Sequence, residues 1–214
     1  MDAGRVVAGS STGSPLASGM RLDPAASLLF VINASSGAHD IDAKCAVIAS
    51  ALSAGGRQGE LLVCRPHELQ QVATDAATLA AVRNTAVVAV GGDGSLSTVA
   101  QAAHTAGCAM GVIPYGTFNY FARTHGIPTD PAAAARMLLE AHPNPVQVAA
   151  INHRLFLVNA SIGLYPELLQ DREAYKARFG RSRWVAFVAA VATLLRAQRR
   201  WRLHIELLIR PNKV

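Results

Sequence analysis

From residue 28 onward, short apolar runs alternate with longer stretches in which apolar or small residues recur every three or four positions. The runs at 28–32 (LLFVI), 60–64 (ELLVC), 86–90 (AVVAV) and 110–114 (MGVIP) have the length and composition of buried strands. Between the first two, apolar or small residues at 43, 46, 47, 51 and 54 predict a helix that stops at Gly55-Gly56. Between the next two, Leu69, Val72, Ala73, Ala76, Leu79 and Ala80 fall on one helical face. A third helix is predicted over 95–107, capped by Ser95 and ending at Gly107. A short helix near 118–124 and another over 130–141 follow, the latter with Asp130 as cap and Pro131 in its first turn.

Strands alternating with helices of this length predict an α/β domain, a parallel sheet covered on both faces. Ligands of such sheets bind beyond the carboxyl ends of the strands. Three loops leave strands at that edge: "NASSG" (33–37), "GGDGS" (91–95) and "PYGTFN" (114–119). After about residue 145 the pattern changes. Two short strands around "NHR" (152–154), a basic helix and the strand "LHIELLI" (203–209) read as the opening of a β-rich second domain that stops unfinished. Residues 1–26 are rich in Gly, Ser and Ala without a sustained period and read as a disordered leader, so the divisions are 1–26, 27–145 and 146–214.

Composition narrows the classes. The chain has 214 residues, 51% hydrophobic and 16% charged, which describes a globular protein. Its net charge of +6 is local: nine basic residues lie between 172 and 202, opposed only by Glu173. Solvated helix faces account for that cluster, and a cationic surface resting on anionic lipid is the sharper reading. No nucleic-acid-binding module occurs. Cys45, Cys64 and Cys108 are widely spaced and set in apolar stretches, as free thiols in a reducing compartment would be. The seven histidines show no metal-binding spacing. The greasiest run, 184–195, is shorter than the ~20 residues that span a bilayer.

The candidate chemistry lies in the loops. A helix N-terminus offers unpaired N–H groups to phosphate, and Gly91, Gly92 and Gly94 let the backbone come close. Ser95 adds a hydroxyl, and the second loop brings Gly116, Thr117 and Asn119. Neither G-x-x-x-x-G-K-[ST] nor G-x-G-x-x-G is present. A tight Asp-Gly turn at a strand end is the alternative account of "GGDG".

"INASSG", "VVAVGGDGSLSTVA" and "GVIPYGTFNYFAR", in this order, resemble the catalytic domain of the diacylglycerol kinase family. That family includes bacterial lipid kinases and sphingosine kinases and is akin in fold to NAD kinases. "FLVNASIGLYPELLQDRE" and "GRSRW" resemble the start of its second, β-sandwich domain. The resemblance implies a three-layer nucleotide-binding domain and ATP-dependent phosphorylation of a lipid hydroxyl such as that of diacylglycerol, with Mg2+. It also implies a cytoplasmic protein meeting the inner face of a membrane. By the same resemblance Asn33, Ser36, Gly37, Gly91, Gly92, Gly94, Ser95, Gly116, Thr117 and Asn119 line the nucleotide. Two roles are open to Asp93: orienting a Mg2+-bound water, or accepting a hydrogen bond from the attacking hydroxyl.

The sequence departs from the family pattern at several places. Ala34 stands for proline, Ser95 for threonine, Tyr120 for an aspartate, Arg65 for a threonine near the nucleotide, and Gln147 for an acid. Members also continue for on the order of a hundred residues more, a full second domain. If the molecule ends at Val214, weak or absent kinase activity is expected. The alternatives are an NAD-kinase-like enzyme acting on a soluble acceptor, and a nucleotide-binding remnant without turnover.

Overall fold

A computed structural model describes residues 6–9, 21–36, 40–160 and 205–208. The chain divides into two units, one built mainly of residues 9–158 and the other including residues 159–207. Two short strands, β1 (Val6–Gly9) and β8 (Ile205–Leu208), lie near the limits of the second unit. β1 falls within the stretch read as a leader. The expected basic helix lies outside the described residues.

The larger unit carries the α/β domain. Its strands are β2 (Leu28–Asn33), β3 (Gly59–Cys64), β4 (Ala86–Gly91) and β5 (Ala109–Pro114). They pair in parallel in the order β3-β2-β4-β5. The linking helices are α1 (Ile41–Ala54), α2 (Leu69–Val82) and α3 (Asp93–Ala106), followed by α4 (Tyr120–Thr124) and α5 (Pro131–Glu140). A hairpin, β6 (Ala149–Ile151) and β7 (Arg154–Phe156), closes this part of the chain.

The central strands read as unbroken apolar runs because both faces are covered. Leu28, Phe30, Ile32, Val88, Val90 and Ile113 pack with Ile48, Ala51 and Leu52 of α1 and with Ala134 and Ala135 of α5. The alternate residues Leu29, Val31, Val87, Ala89 and Val112 pack with Leu69, Ala73, Ala76, Ala77 and Ala80 of α2 and with Leu96 and Val99 of α3. The result is a three-layer sandwich of helices, sheet and helices. Alanines dominate α2, which brings its backbone close to α3 and the sheet.

Two expectations need correction. The buried face of α1 is Lys44, Ile48, Ala51 and Leu52, whereas Ala43, Ala46 and Ala54 are exposed. The apolar pattern placed that face about one residue off because Lys44 was assigned to solvent. Ser95 is not the cap of α3. The helix begins two residues earlier, with Gly92 as N-cap, and Ser95 is turned inward. Asp130 does cap α5, its carboxylate accepting from the Ala133 N–H at 2.8 Å, with Pro131 next. Residues 21–23, also within the expected leader, are tied to the turn before β4. The Asp23 N–H donates to the Asn84 carbonyl, and the Asn84 side chain donates to the Arg21 carbonyl.

Strand order locates the site. The chain leaves β2 toward β3 on one side and leaves β4 toward β5 on the other, so the adjacent ends of β2 and β4 form a switch point. Loops diverge there and leave a crevice, the usual ligand position in open α/β sheets.

Burial raises the Cys64 thiol above its ordinary 9.0, with Glu68 adding to the shift. Burial raises Cys108 as well, more than its backbone hydrogen bonds lower it. Unfolded thiols ionise near 9.0 while these folded ones stay protonated. Their contribution to stability is therefore present below that value and lost as pH rises through the folded values. Urea midpoints should fall between about pH 8 and about pH 10, and less in a Cys64→Ala/Cys108→Ala chain.

Candidate functional site

The loops after β2, β4 and β5 converge at the switch-point edge. Asn33 ends β2, and its Oδ1 accepts the Ser35 N–H at 3.0 Å, folding the first loop into a local turn. Its Nδ2 reaches across and donates to the Ser95 Oγ at 2.9 Å. Ser36 Oγ lies 3.2 Å from the same hydroxyl. Ser95 is thus the knot between the first loop and the start of α3. Gly91 leaves room for it: a Cβ there would stand 2.7 Å from Ser95 Cβ and 2.9 Å from Ser36 Oγ.

The second and third loops meet backbone to backbone. The Tyr115 N–H donates to the Gly91 carbonyl at 2.9 Å. A Cβ on Gly116 would stand 2.7 Å from Gly92 Cα, so this approach requires the absence of a side chain. Asn119 is buried, adopts the left-handed conformation (φ 52°), and accepts the Gly116 N–H on Oδ1 at 2.8 Å. Asparagine tolerates that backbone region better than most residues.

Asp93, at the first position of α3, spans the gap to α4. Its two carboxylate oxygens accept the Phe121 N–H at 3.2 Å and the Tyr120 N–H at 3.3 Å. Meanwhile the N–H groups of Asp93, Gly94 and Ser95 have no partner among the described residues. Space around Gly94 is open, with nothing within 4 Å of where its Cβ would be. A positive helix end with free amides and glycine clearance is suited to a phosphate group.

The structure therefore joins Asn33, Ser36, Gly91, Gly92, Asp93, Gly94, Ser95, Gly116 and Asn119 in one edge cluster. Thr117 is exposed on the same loop as Gly116, and Gly37 lies outside the described residues.

The deciding comparison is with protein families. Residues 27–151 match the family described as the diacylglycerol kinase catalytic domain. The chain belongs to the diacylglycerol kinase family. Among its relatives, a Pseudomonas aeruginosa protein named "Probable lipid kinase YegS-like" is 46% identical over 79 residues, 36% of this chain and 26% of that protein. A "Diacylglycerol kinase" of Staphylococcus carnosus is 36% identical over 84 residues, 38% of this chain and 28% of its own. The crystal structure of a diacylglycerol kinase from Bacillus anthracis superposes with a TM-score of 0.53 at 27% identity, covering 61% of this chain and 49% of that one. The chain thus spans about half the length of that solved relative. No helix among the described residues is long and apolar enough to cross a membrane.

One feature of this kinase-family site escaped the sequence pattern. Lys44 of α1 is fully buried beneath the first loop. Its ammonium donates to the carbonyls of Ser36 at 2.5 Å and Asn33 at 3.3 Å, and lies 5.5 Å from the centre of the Tyr115 ring. Burial pushes its pKa below the ordinary 10.5, with Cys45 and Asp40 pulling the other way. The available signal was a single lysine inside an otherwise apolar and small helix.

Adding one methyl group at Gly116 forces the loops of β4 and β5 apart. Gly116→Ala should cost about 1–3 kcal/mol in urea unfolding. Asp93→Ala removes the acceptor for two α4 amides, and a loss of about 0.5–2 kcal/mol is expected, with hydrogen exchange rising at Tyr120 and Phe121.

Proposed function

We propose that this chain binds ATP at the switch-point edge and transfers its terminal phosphoryl group to the hydroxyl of a lipid such as diacylglycerol. The observation that carries the reading is the set of Asp93, Gly94 and Ser95 amides, which have no partner among the described residues and lie where glycines bring three loops together. Family membership supplies the reaction class. Phosphoryl transfer depends on positioning and charge stabilisation more than on covalent chemistry with the protein. Backbone amides and a helix end provide both.

Within this reading, the α3 amides hold phosphate oxygens and Ser95, fixed by Asn33 and Ser36, sets the cradle floor. Gly92 and Gly116 keep side chains out of the space the phosphates cross. Asp93 faces the reacting end. Its oxygens each accept one N–H and keep further lone pairs, so it has capacity to accept from a lipid hydroxyl or a metal-bound water. Among the described residues no group of three His, Cys, Asp or Glu side chains is arranged for a metal. Magnesium commonly takes one or two carboxylates and completes its shell with phosphate oxygens and water, so Asp93 alone fits a nucleotide-borne ion. When bound with the nucleotide, the ion would neutralise phosphate charge.

A second reading is nucleotide binding without turnover. It is favoured by the engagement of both Asp93 oxygens with α4. One assay separates the two readings. The chain is incubated with magnesium and terminally radiolabelled ATP over vesicles containing diacylglycerol, and ATP binding is measured in parallel. Labelled phosphatidic acid is the expected product, abolished by Gly92→Val. Binding without label transfer selects the second reading, and no ATP binding rejects both.

A further inference from the structure

We propose that Lys44 is a positioning cation of the nucleotide site: it holds the first loop in its binding shape through two backbone carbonyls, and its charge is balanced when an anionic phosphate occupies the adjoining cradle. The inference rests on the nucleotide-binding reading above and assigns it a residue that neither the loop motifs nor the glycine geometry contains.

Three observations carry it. The first is cost. A buried ammonium without a carboxylate partner is expensive, and a methionine or leucine would fill the same volume without that penalty. Lys44 also sits in the first turn of α1, where the helix dipole disfavours a cation. Stability of α1 therefore does not explain a lysine here.

The second is where the ammonium points. Its hydrogen bonds go to Asn33 and Ser36, the residues whose side chains meet Ser95. The chain of contacts runs from Lys44 through the loop to the first turn of α3, whose amides have no partner among the described residues. Moving the loop by one carbonyl would displace the Asn33 amide and the Ser36 hydroxyl together.

The third is its surroundings. Among the described residues, Asp40 and Cys45 on its own helix and Tyr115 from the loop after β5 are the titratable groups around it. Asp130 at the start of α5 acts on Tyr115 rather than on Lys44. Burial holds the Tyr115 phenol above its ordinary 10.0, so the ring remains neutral and offers its face to the cation. Among the described residues no carboxylate forms an ion pair with the ammonium, and its charge is only partly compensated. A phosphate within reach of α3 supplies the missing negative charge, and the low-dielectric surroundings strengthen that attraction.

By linkage, an anion that favours the charged lysine must raise its pKa, and the charged lysine must favour the anion equally. The sign is fixed: ATP affinity is highest while Lys44 is protonated and falls as pH rises through the free-state value.

The chain contains three lysines, Lys44, Lys176 and Lys213, which makes the test direct. Lysine labelled with carbon-13 at Cε reports each titration by NMR in the full chain, and Lys44→Met identifies its signal. Free Lys44 should titrate below the other two. Saturating ATP, and inorganic pyrophosphate as a base-free probe, should raise it by about one pKa unit, equivalent to about tenfold in affinity. Lys44→Met should bind ATP about tenfold more weakly near neutrality and lose the alkaline decline.

ATP binding that leaves the Lys44 titration unmoved overturns the proposal, as does a Lys44→Met chain with unchanged affinity and pH profile. If that variant does not fold, the wild-type titration decides alone. If the wild type binds neither probe, the nucleotide reading has failed independently. The loop-holding role is then judged by amide exchange at Ala34, Ser35 and Ser36 in the ligand-free proteins. Faster exchange in Lys44→Met supports that role, and unchanged exchange rejects it.

Discussion

Everything at the candidate site depends on strands β2 and β4 lying side by side while the chain leaves them in opposite directions. Their register aligns Ile32 with Val90, so Asn33 and Gly91 end the two strands together. Because both faces of this pair are covered by helices, neither strand can slip by one residue without turning its whole apolar set around. The hydrophobic core thereby fixes a polar geometry at its edge. Asn33 and Ser36 reach Ser95 from strand ends that this register places side by side.

That edge also accounts for an acid in a loop proposed to bind phosphate. A carboxylate facing bare phosphate would repel it. Asp93 instead sits where two helix starts meet, with its oxygens accepting the first amides of α4 and its own N–H directed from α3. Negative charge is favoured at both positions. The acid joins the β4 loop to the β5 loop while the amides beside it remain available. Gly92 and Gly116 serve the same junction, since a Cβ on Gly116 would stand 2.7 Å from Gly92 Cα and one on Gly92 would stand 3.2 Å from Gly116 Cα. Holding the loops and the proposed anion binding therefore fall to different atoms of the same few residues.

Lys44 shows the opposite allocation, a charge placed inside the protein at a cost to the fold. Proteins keep such groups where function needs a field or a fixed loop, and the surroundings must then over-determine the geometry. Two carbonyls, an aromatic face and the close packing of α1 do that here.

Much of the fold was legible in the chain because parallel, doubly covered strands appear as continuous apolar runs and α2 as a clean helical stripe. The three loops were legible too, since glycine, serine and asparagine clusters after strands carry their own conformational reasons. Where pattern and structure parted, the cause was long-range packing. The face of α1 was misread because a lysine normally belongs to solvent, and only the carbonyls of a separate loop make its burial tolerable. Ser95 looked like a cap by local sequence, yet a side chain 62 residues away turned it inward. The sequence by itself determined which segments become strands and helices and which loops carry glycine. Tertiary structure alone decided which of their polar atoms are consumed in holding the loops and which are left facing outward, because that depends on neighbours distant along the chain.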